Sequence, residues 1–214
     1  MAVEVLVGNR KSIPVRFCVQ WLNAASDLRN ILYAKGDGFD PFSYNETATV
    51  GFLTAAAGKA GFLALPEFTE DSRRLSEGRV RAGRCDLWVA RPDWAVNWLI
   101  EFKLCKFRKN SHMGLVTPMN EALEDAYNRD PREADDRWGC VVYRPAAHWD
   151  DLPRADQETW ESFSRIKELA ENVDLAFRFD DLAGPVYMLM RKVPPRAKKL
   201  VNHQINVESL DPVL

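Results

Sequence analysis

The chain has no Cys-x-x-Cys pair, no glycine-rich phosphate loop, no apolar run long enough to cross a membrane and no low-complexity stretch. Each absence closes off a class of function. The four cysteines, Cys18, Cys85, Cys105 and Cys140, are scattered, with no histidine nearby at metal-ligand spacing. A zinc site and a disulfide framework are therefore not expected, and the thiols read as buried groups in a reducing compartment. Gly58-Lys59 lacks the upstream glycine and the preceding strand of a Walker loop, so nothing points to ATP. A Ser-His-Asp or Cys-His nucleophile leaves no local signature. Met1 to Val7 carries neither the basic start nor the apolar stretch of a signal peptide, and charges interrupt every candidate span. A cytoplasmic protein with no membrane partner is the expectation.

What is present suffices for a packed core. With 46% hydrophobic and 11% aromatic residues over 214 positions, the chain has the means to fold as one domain of three layers rather than stay disordered. A net charge of -2 does not by itself mark a nucleic-acid binder. The distribution says more, because Arg73 to Lys109 holds ten basic residues against four acidic ones, a local charge of +6. This stretch reads either as a solvated strand surface or as a phosphate-tracking patch. On the second reading Arg73, Arg74, Arg81, Arg84, Lys106, Arg108 and Lys109 are candidate phosphate contacts.

Hydrophobic periodicity predicts the elements. A first helix is expected over Phe17 to Ala34, with Val19, Leu22, Leu28, Ile31 and Leu32 on one stripe and Gly36 and Gly38 as stop signals. A second begins at Ser43-Tyr44-Asn45-Glu46, which has the form of a capping box, and runs to Gly58 or Gly61 with Val50, Leu53 and Ala57 inward. Phe62 to Phe68 reads as a strand, placed at an edge or bend by Pro66. Glu70 to Arg81 is a hairpin arm or loop. Cys85 to Ala90 and Asn97 to Phe107 are neighbouring strands around an Arg91-Pro92-Asp93 turn. Thr117-Pro118 opens a helix over Met119 to Asn128, with Met119, Leu123, Ala126 and Tyr127 inward, and Trp138 to Tyr143 is the next strand. The core spans residues 43 to 145 or so. It is followed by a helix from Gln157 to Glu171, strands near Val173 to Phe179 and Val186 to Lys192, and a basic tail over 194–214 expected to be mobile or to pair with a partner. The fold class is α/β with a central mixed sheet.

Two positions in this plan carry chemistry. Residues two apart on a strand share a face, so Glu101 and Lys103 point together. If the preceding strand is an antiparallel neighbour, Asp86 lies across from Glu101, and Arg84 shares its face. Two carboxylates on adjacent strands suit a hard cation such as Mg2+ or Mn2+, which lowers the pKa of a bound water and neutralises charge on a phosphate. Lys103, flanked by acids, is suited to electrostatic assistance. A Glu-x-Lys triplet is expected roughly once in a chain of this size by chance, so its placement is what matters. His112 and His148 read as surface or loop residues, and Asn120, Glu121 and Glu124 as a solvated helix face. Among the tryptophans that could stack on bases, Trp88 and Trp98 are better explained by core packing.

Asp86 in Arg84-Cys85-Asp86-Leu87-Trp88-Val89, with Glu101-Phe102-Lys103 on the following strand, resembles the PD-(D/E)XK nuclease superfamily, over roughly Ser43 to Tyr143. The resemblance implies a restriction-endonuclease-like core of helix, three strands, helix and strand. It also implies a metal-dependent hydrolase, in particular a DNA endonuclease, with Asp86 and Glu101 as metal ligands and Lys103 as a catalytic residue. Glu46 matches a helix glutamate that many members carry as a ligand, but it is equally explained as the capping-box partner of Ser43. Cys85 stands in place of the motif's proline, and Leu123, four residues before Tyr127, departs from the glutamine-to-tyrosine motif of exonuclease-like members. A homodimer is open, as is a protein that no longer cuts and serves as a nucleic-acid-binding or assembly module. In that case the three residues form a structural ion pair.

Overall fold

Ser12 and Pro14 set where the first long helix begins. The computed structural model describes residues 3–74, 80–107, 116–145, 154 and 173–194. Following strand β1 (Glu4–Val7), helix α1 (Ile13–Lys35) opens on Ser12, whose side chain accepts from the Val15 N–H, with proline in the first turn. The helix therefore starts four residues before the expected Phe17. Its buried face runs through Trp21, Leu22 and Ala25, whereas Ile31, expected on the stripe, is 49% exposed.

A 3-10 turn (Pro41–Ser43) precedes α2 (Glu46–Lys59), and here the expected capping box does not form. Asn45 is the cap, its Oδ1 accepting from the Ala48 N–H at 2.8 Å. Ser43 is drawn off by Asp40, whose Oδ2 accepts from the serine hydroxyl at 3.2 Å. Glu46, released from capping, becomes the first residue of the helix.

Three strands follow, β2 (Leu63–Arg74), β3 (Val80–Ala90) and β4 (Asn97–Phe107), then α3 (Val116–Tyr127), β5 (Asp136–Pro145), β6 (Leu175–Phe179) and β7 (Val186–Lys192). They form one mixed sheet in the order β1-β6-β7-β5-β4-β3-β2. β4 and β5 are parallel, as the crossover through α3 requires, and the other neighbours are antiparallel. β2 is an edge strand, the position in which Pro66 is tolerated. The expected hairpin arm beyond Glu70 is paired strand, with Arg73 opposite Arg81 and Arg74 opposite Val80. Gln157 to Glu171, Arg108, Lys109, His112, His148 and the tail 195–214 lie outside the described residues.

Helices cover both faces of the sheet. On one, Phe17, Trp21 and Leu22 of α1 and Leu53, Ala56 and Ala57 of α2 pack against Val89, Trp98, Ile100 and Phe102. The rings of Phe17 and Trp98 meet edge to face at 5.0 Å. On the other, Met119 and Leu123 of α3 pack against Val141, Tyr143 and Leu189. α3 lies very close to β5 at Gly139, where an added Cβ would fall 2.8 Å from the Leu123 backbone nitrogen. Tyr127, expected inward, is 44% exposed; the inward positions are Ala122 and Ala126, and the Arg137 guanidinium stacks over the Tyr127 ring. Among the described residues no helix is long and apolar enough to cross a membrane.

One buried ionic centre ties the layers together. Arg29 of α1 has all five N–H donors engaged: Nε and Nη2 on the two Asp40 oxygens at 2.9 and 3.0 Å, Nη1 on Asp181 at 2.7 Å and the Gly184 carbonyl at 2.5 Å, and Nη2 on the Ala183 carbonyl at 2.9 Å. It fastens α1 to the turn before α2 and to the β6–β7 loop.

Candidate active site

The β3–β4 ladder runs from Ala90↔Asn97 to Leu87↔Ile100 and ends there, one step short of Asp86 and Glu101. On the other side of β3 the partners pass from Pro66↔Leu87 to Phe68↔Cys85, and Glu67 between them has a positive φ of 47°. Where the ladder ends, the N–H groups on the edge of β4 need other acceptors. Carboxylates supply them. Asp86 Oδ2 accepts from the Phe102 N–H at 2.7 Å, and Glu46 Oε2 from the Leu104 N–H at 3.2 Å. Alternate N–H groups of a strand face the same edge, so the two carboxylates stand along one edge of β4, their donors roughly 7 Å apart.

Glu101 and Lys103 meet residues from the end of α3. Glu101 is 3% exposed, and its Oε1 accepts from Nε of Arg129, itself 2% exposed, at 2.5 Å. Lys103 Nζ donates to Asp125 Oδ2 at 3.0 Å, with both side chains about a quarter exposed. Arg129 also donates to the Arg84 carbonyl. Its own carbonyl accepts from Arg137 Nη1 at 2.9 Å, and the same nitrogen donates to the Tyr127 carbonyl at 2.8 Å. The segment leaving α3 is thereby pinned to β5. Gly139 is the in-register partner of Glu101 on that strand, so the close approach of α3 occurs beside the site.

The charges sense one another. Burial, reinforced by the Asp86 charge and opposed by Arg129, pushes the Glu101 carboxyl up to about 8. Burial and Asp86 also raise Glu46, against the pull of Lys103. Burial acts to lower Lys103, but the hydrogen bond and charge of Asp125, with the Glu46 and Asp86 charges, hold it above its ordinary value. The structure thus brings together all four residues expected from the sequence, Glu46, Asp86, Glu101 and Lys103. It adds Asp125 and Arg129, which sequence reasoning missed. Comparison of the chain with protein-family models, curated proteins and solved structures finds no match.

The donors at the strand edge are oxygens only, the set that suits a hard divalent cation, and crowding of like charge is what such a cation relieves. Among the described residues no three Asp, Glu, His or Cys side chains are already gathered into a metal-binding group. A cation at this edge would therefore find at most two of these carboxylates already turned toward it. Burial pushes the nearby Cys105 thiol up to about 11, so at neutral pH it offers no thiolate to a softer metal.

The basic candidates are dispersed. The Arg84 side chain is 67% exposed and pairs with Glu67 at 3.0 Å, and Lys106 is exposed. Arg73, Arg74 and Arg81 lie at the far paired ends of β2 and β3. Asn120, Glu121 and Glu124 are exposed, Trp98 is buried and Trp88 half-buried, as expected, while Trp94 in the β3–β4 turn is exposed and packs its ring on Trp88.

Proposed function

We propose that the chain is a magnesium- or manganese-dependent nuclease that hydrolyses phosphodiester bonds, with DNA as its substrate. The observation that carries this reading is the meeting of Glu46, Asp86, Glu101 and Lys103, from one helix and two strands, at the point where β3 and β4 cease to pair. Further support comes from the element order. α2, β2, β3, β4, α3 and β5 follow the helix, three strands, helix, strand sequence of the restriction-endonuclease-like core that the motifs resemble.

On this reading Asp86 and Glu101 would hold the cation, and Glu46 would have to turn toward it to add a third oxygen donor. What the bound cation supplies is a more acidic water and a counter-charge for the phosphate. Lys103 stays protonated and, steadied by Asp125, presents its ammonium to the negative charge that builds on the phosphate. The exposed Arg84 and Lys106 would be candidate contacts for the phosphates of the nucleic acid.

The test is cleavage of linear, circular and single-stranded DNA and of RNA, with and without magnesium. Asp86→Ala and Lys103→Ala are each expected to lower magnesium-dependent cleavage by roughly a hundredfold or more. Unchanged cleavage in either variant would overturn the assignment. A second reading, a nuclease-like protein that binds without cutting, is favoured by the Glu101–Arg129 and Lys103–Asp125 ion pairs, which give those side chains partners without metal. It predicts no manganese density near Asp86 and Glu101 in soaked crystals.

A further inference from the structure

We propose that Phe39 and Tyr44 form a stacking platform for an unpaired nucleotide beside Glu46, so that the nucleic acid this chain prefers is a single strand or an unpaired end. This rests on the nucleic-acid reading above and goes beyond it by naming the substrate class.

The chain between α1 and α2 buries its middle and exposes its flanks. Pro41 and Phe42 are buried in the 3-10 turn, and the buried Asp40 is held by Arg29 while it accepts from the Phe42 N–H at 3.1 Å. On either side of this anchor a large ring faces water, Phe39 at 41% exposed and Tyr44 at 56%. Their centroids are 5.1 Å apart, with 33° between the planes. The turn that carries Phe39 is hydrogen-bonded rather than loose. Asp37 and Gly38 take left-handed backbone, with φ of 51° and 79°, and the Gly38 and Phe39 N–H groups donate to the Tyr33 and Gly36 carbonyls at 3.0 and 3.2 Å. Two adjoining exposed rings on a fixed backbone make an apolar surface that a lone exposed ring does not.

Its placement ties this surface to the site. Tyr44 stands two residues before Glu46, a backbone span of about 7 Å at most, and Glu46 reaches the Leu104 N–H of β4 at 3.2 Å. Two residues further along β4 is the exposed Lys106, in register with Arg144 of β5. Arg144 donates to the hydroxyl of Ser43, the neighbour of Tyr44, and pairs with Asp40 at 3.3 Å, so it fastens the turn to the sheet. Lys106 is then the exposed cation suited to a phosphate.

The chemistry of the rings selects the occupant. In a duplex the faces of the bases are stacked on one another and only their edges reach the grooves, so paired DNA offers an aromatic platform nothing to stack on. An unpaired base presents its whole face, and base-on-ring stacking tolerates any sequence. The surroundings are not strongly basic, since the exposed Lys35 is offset by the exposed Asp37. Stacking, with Lys106 on the backbone, therefore carries the affinity, and stacking is what separates single strand from duplex.

The experiment is fluorescence anisotropy of the full chain with a labelled oligothymidylate and with a blunt hairpin duplex of the same length, both in EDTA so that nothing is cut. The wild-type chain is expected to bind the single strand roughly tenfold more tightly than the duplex. Phe39→Ala and Tyr44→Ala should each weaken single-strand binding roughly fivefold or more, with a smaller loss on the duplex, while Tyr44→Phe, which keeps the ring, stays within about twofold of the wild type. Lys106→Ala should weaken binding of both and make it less dependent on salt. Equal or tighter binding of the duplex by the wild type overturns the proposal, as does single-strand binding unmoved in both alanine variants. Binding of neither oligonucleotide assigns the rings to a protein partner and overturns it too. Cleavage in magnesium separates this proposal from the nuclease reading. Cutting that is as fast on duplex as on single strand and indifferent to Tyr44→Ala removes the platform and leaves the nuclease. No cutting of any substrate, with single-strand binding still lost in Tyr44→Ala, removes the nuclease and leaves the platform in a protein that binds without cutting.

Discussion

Arg29 and Arg129 are both buried and both bind carboxylates, yet they sit in opposite electrostatic settings. Around Arg29 the geometry is closed, with every donor used and the Asp40 carboxylate held below its ordinary value. Burial acts to raise Asp40, but the Arg29 hydrogen bonds and charge, together with Arg144, outweigh it. Around Arg129 a bond of 2.5 Å does not have that effect, and Glu101 is pushed up to about 8 because burial and Asp86 prevail. Asp181, the second acid on Arg29, is also raised, by burial above all. The Asp40 charge adds little to this at Asp181, whereas the Asp86 charge is a main cause at Glu101. An ion pair that satisfies its acid belongs to the scaffold. One that leaves its acid raised, as at Glu101, is where the proposed cation would act.

Removing Arg29 should have the largest effect. Arg29→Ala strands Asp40 and Asp181 in the interior, and a loss of about 3–5 kcal/mol is expected in urea unfolding. A loss below about 1 kcal/mol would mean that the Arg29 centre is not the closed structural one. The two regions should next part company with pH. Glu101 has a raised folded pKa, so its contribution to stability is present below its ordinary 4.5 and is lost as pH rises through about 8. Metal-free protein should therefore lose up to about 1.4 kcal/mol per pH unit within that window from this group. Glu101→Gln should flatten that slope, and Mn2+ should reverse it. Asp40 has a lowered folded pKa, so its contribution is present above its ordinary 3.8 and is lost only on further acidification. Acid should loosen one region and alkali the other, as melting curves from pH 3 to 9 will reveal. Gly139→Ala pushes α3 off β5 and should cost about 1–3 kcal/mol, with weaker Mn2+ binding because Asp125 and Arg129 move with the helix. Smallest is Asn45→Ala, expected to cost about 1 kcal/mol as a lost helix cap, with a modest loss of Mn2+ affinity because Glu46 follows in the next position.

The strands were legible because their signal is local. Asn97 to Phe107 is rich in apolar residues, with Trp98, Leu99 and Ile100 consecutive and Phe102 and Leu104 alternating with charges, and β4 keeps those bounds. The same locality made Glu101 and Lys103 readable as one face, whereas Glu46, on the helix before the strands, came in only through the family resemblance. What depended on competition between neighbours was not readable in advance. Ser43 has the right type and spacing for a cap, but Asp40, three residues earlier, binds its hydroxyl and leaves Asn45 to cap α2. β1 has only four residues, too few for an alternation to register, and its pairing with β6 joins opposite ends of the described chain. Asp125 and Arg129 escaped for a related reason. Their partners lie 22 and 28 positions away, and only the crossover between parallel strands sets that distance. The available hint was two charged residues, four apart, bordering the small inward residues Ala122 and Ala126.

The parallel pairing of β4 with β5 has a further consequence, in the order of assembly. β2, β3 and β4 form an antiparallel meander, so Asp86 and Glu101 are brought near one another by local chain connections. The residues that answer them, Asp125 and Arg129, arrive with α3, and the docking that seats them needs β5 as well. Without the crossover Glu101 would lack both the burial and the Arg129 partner that it has in the folded chain. The centre is therefore completed only by non-local contacts, the kind that is slower to form.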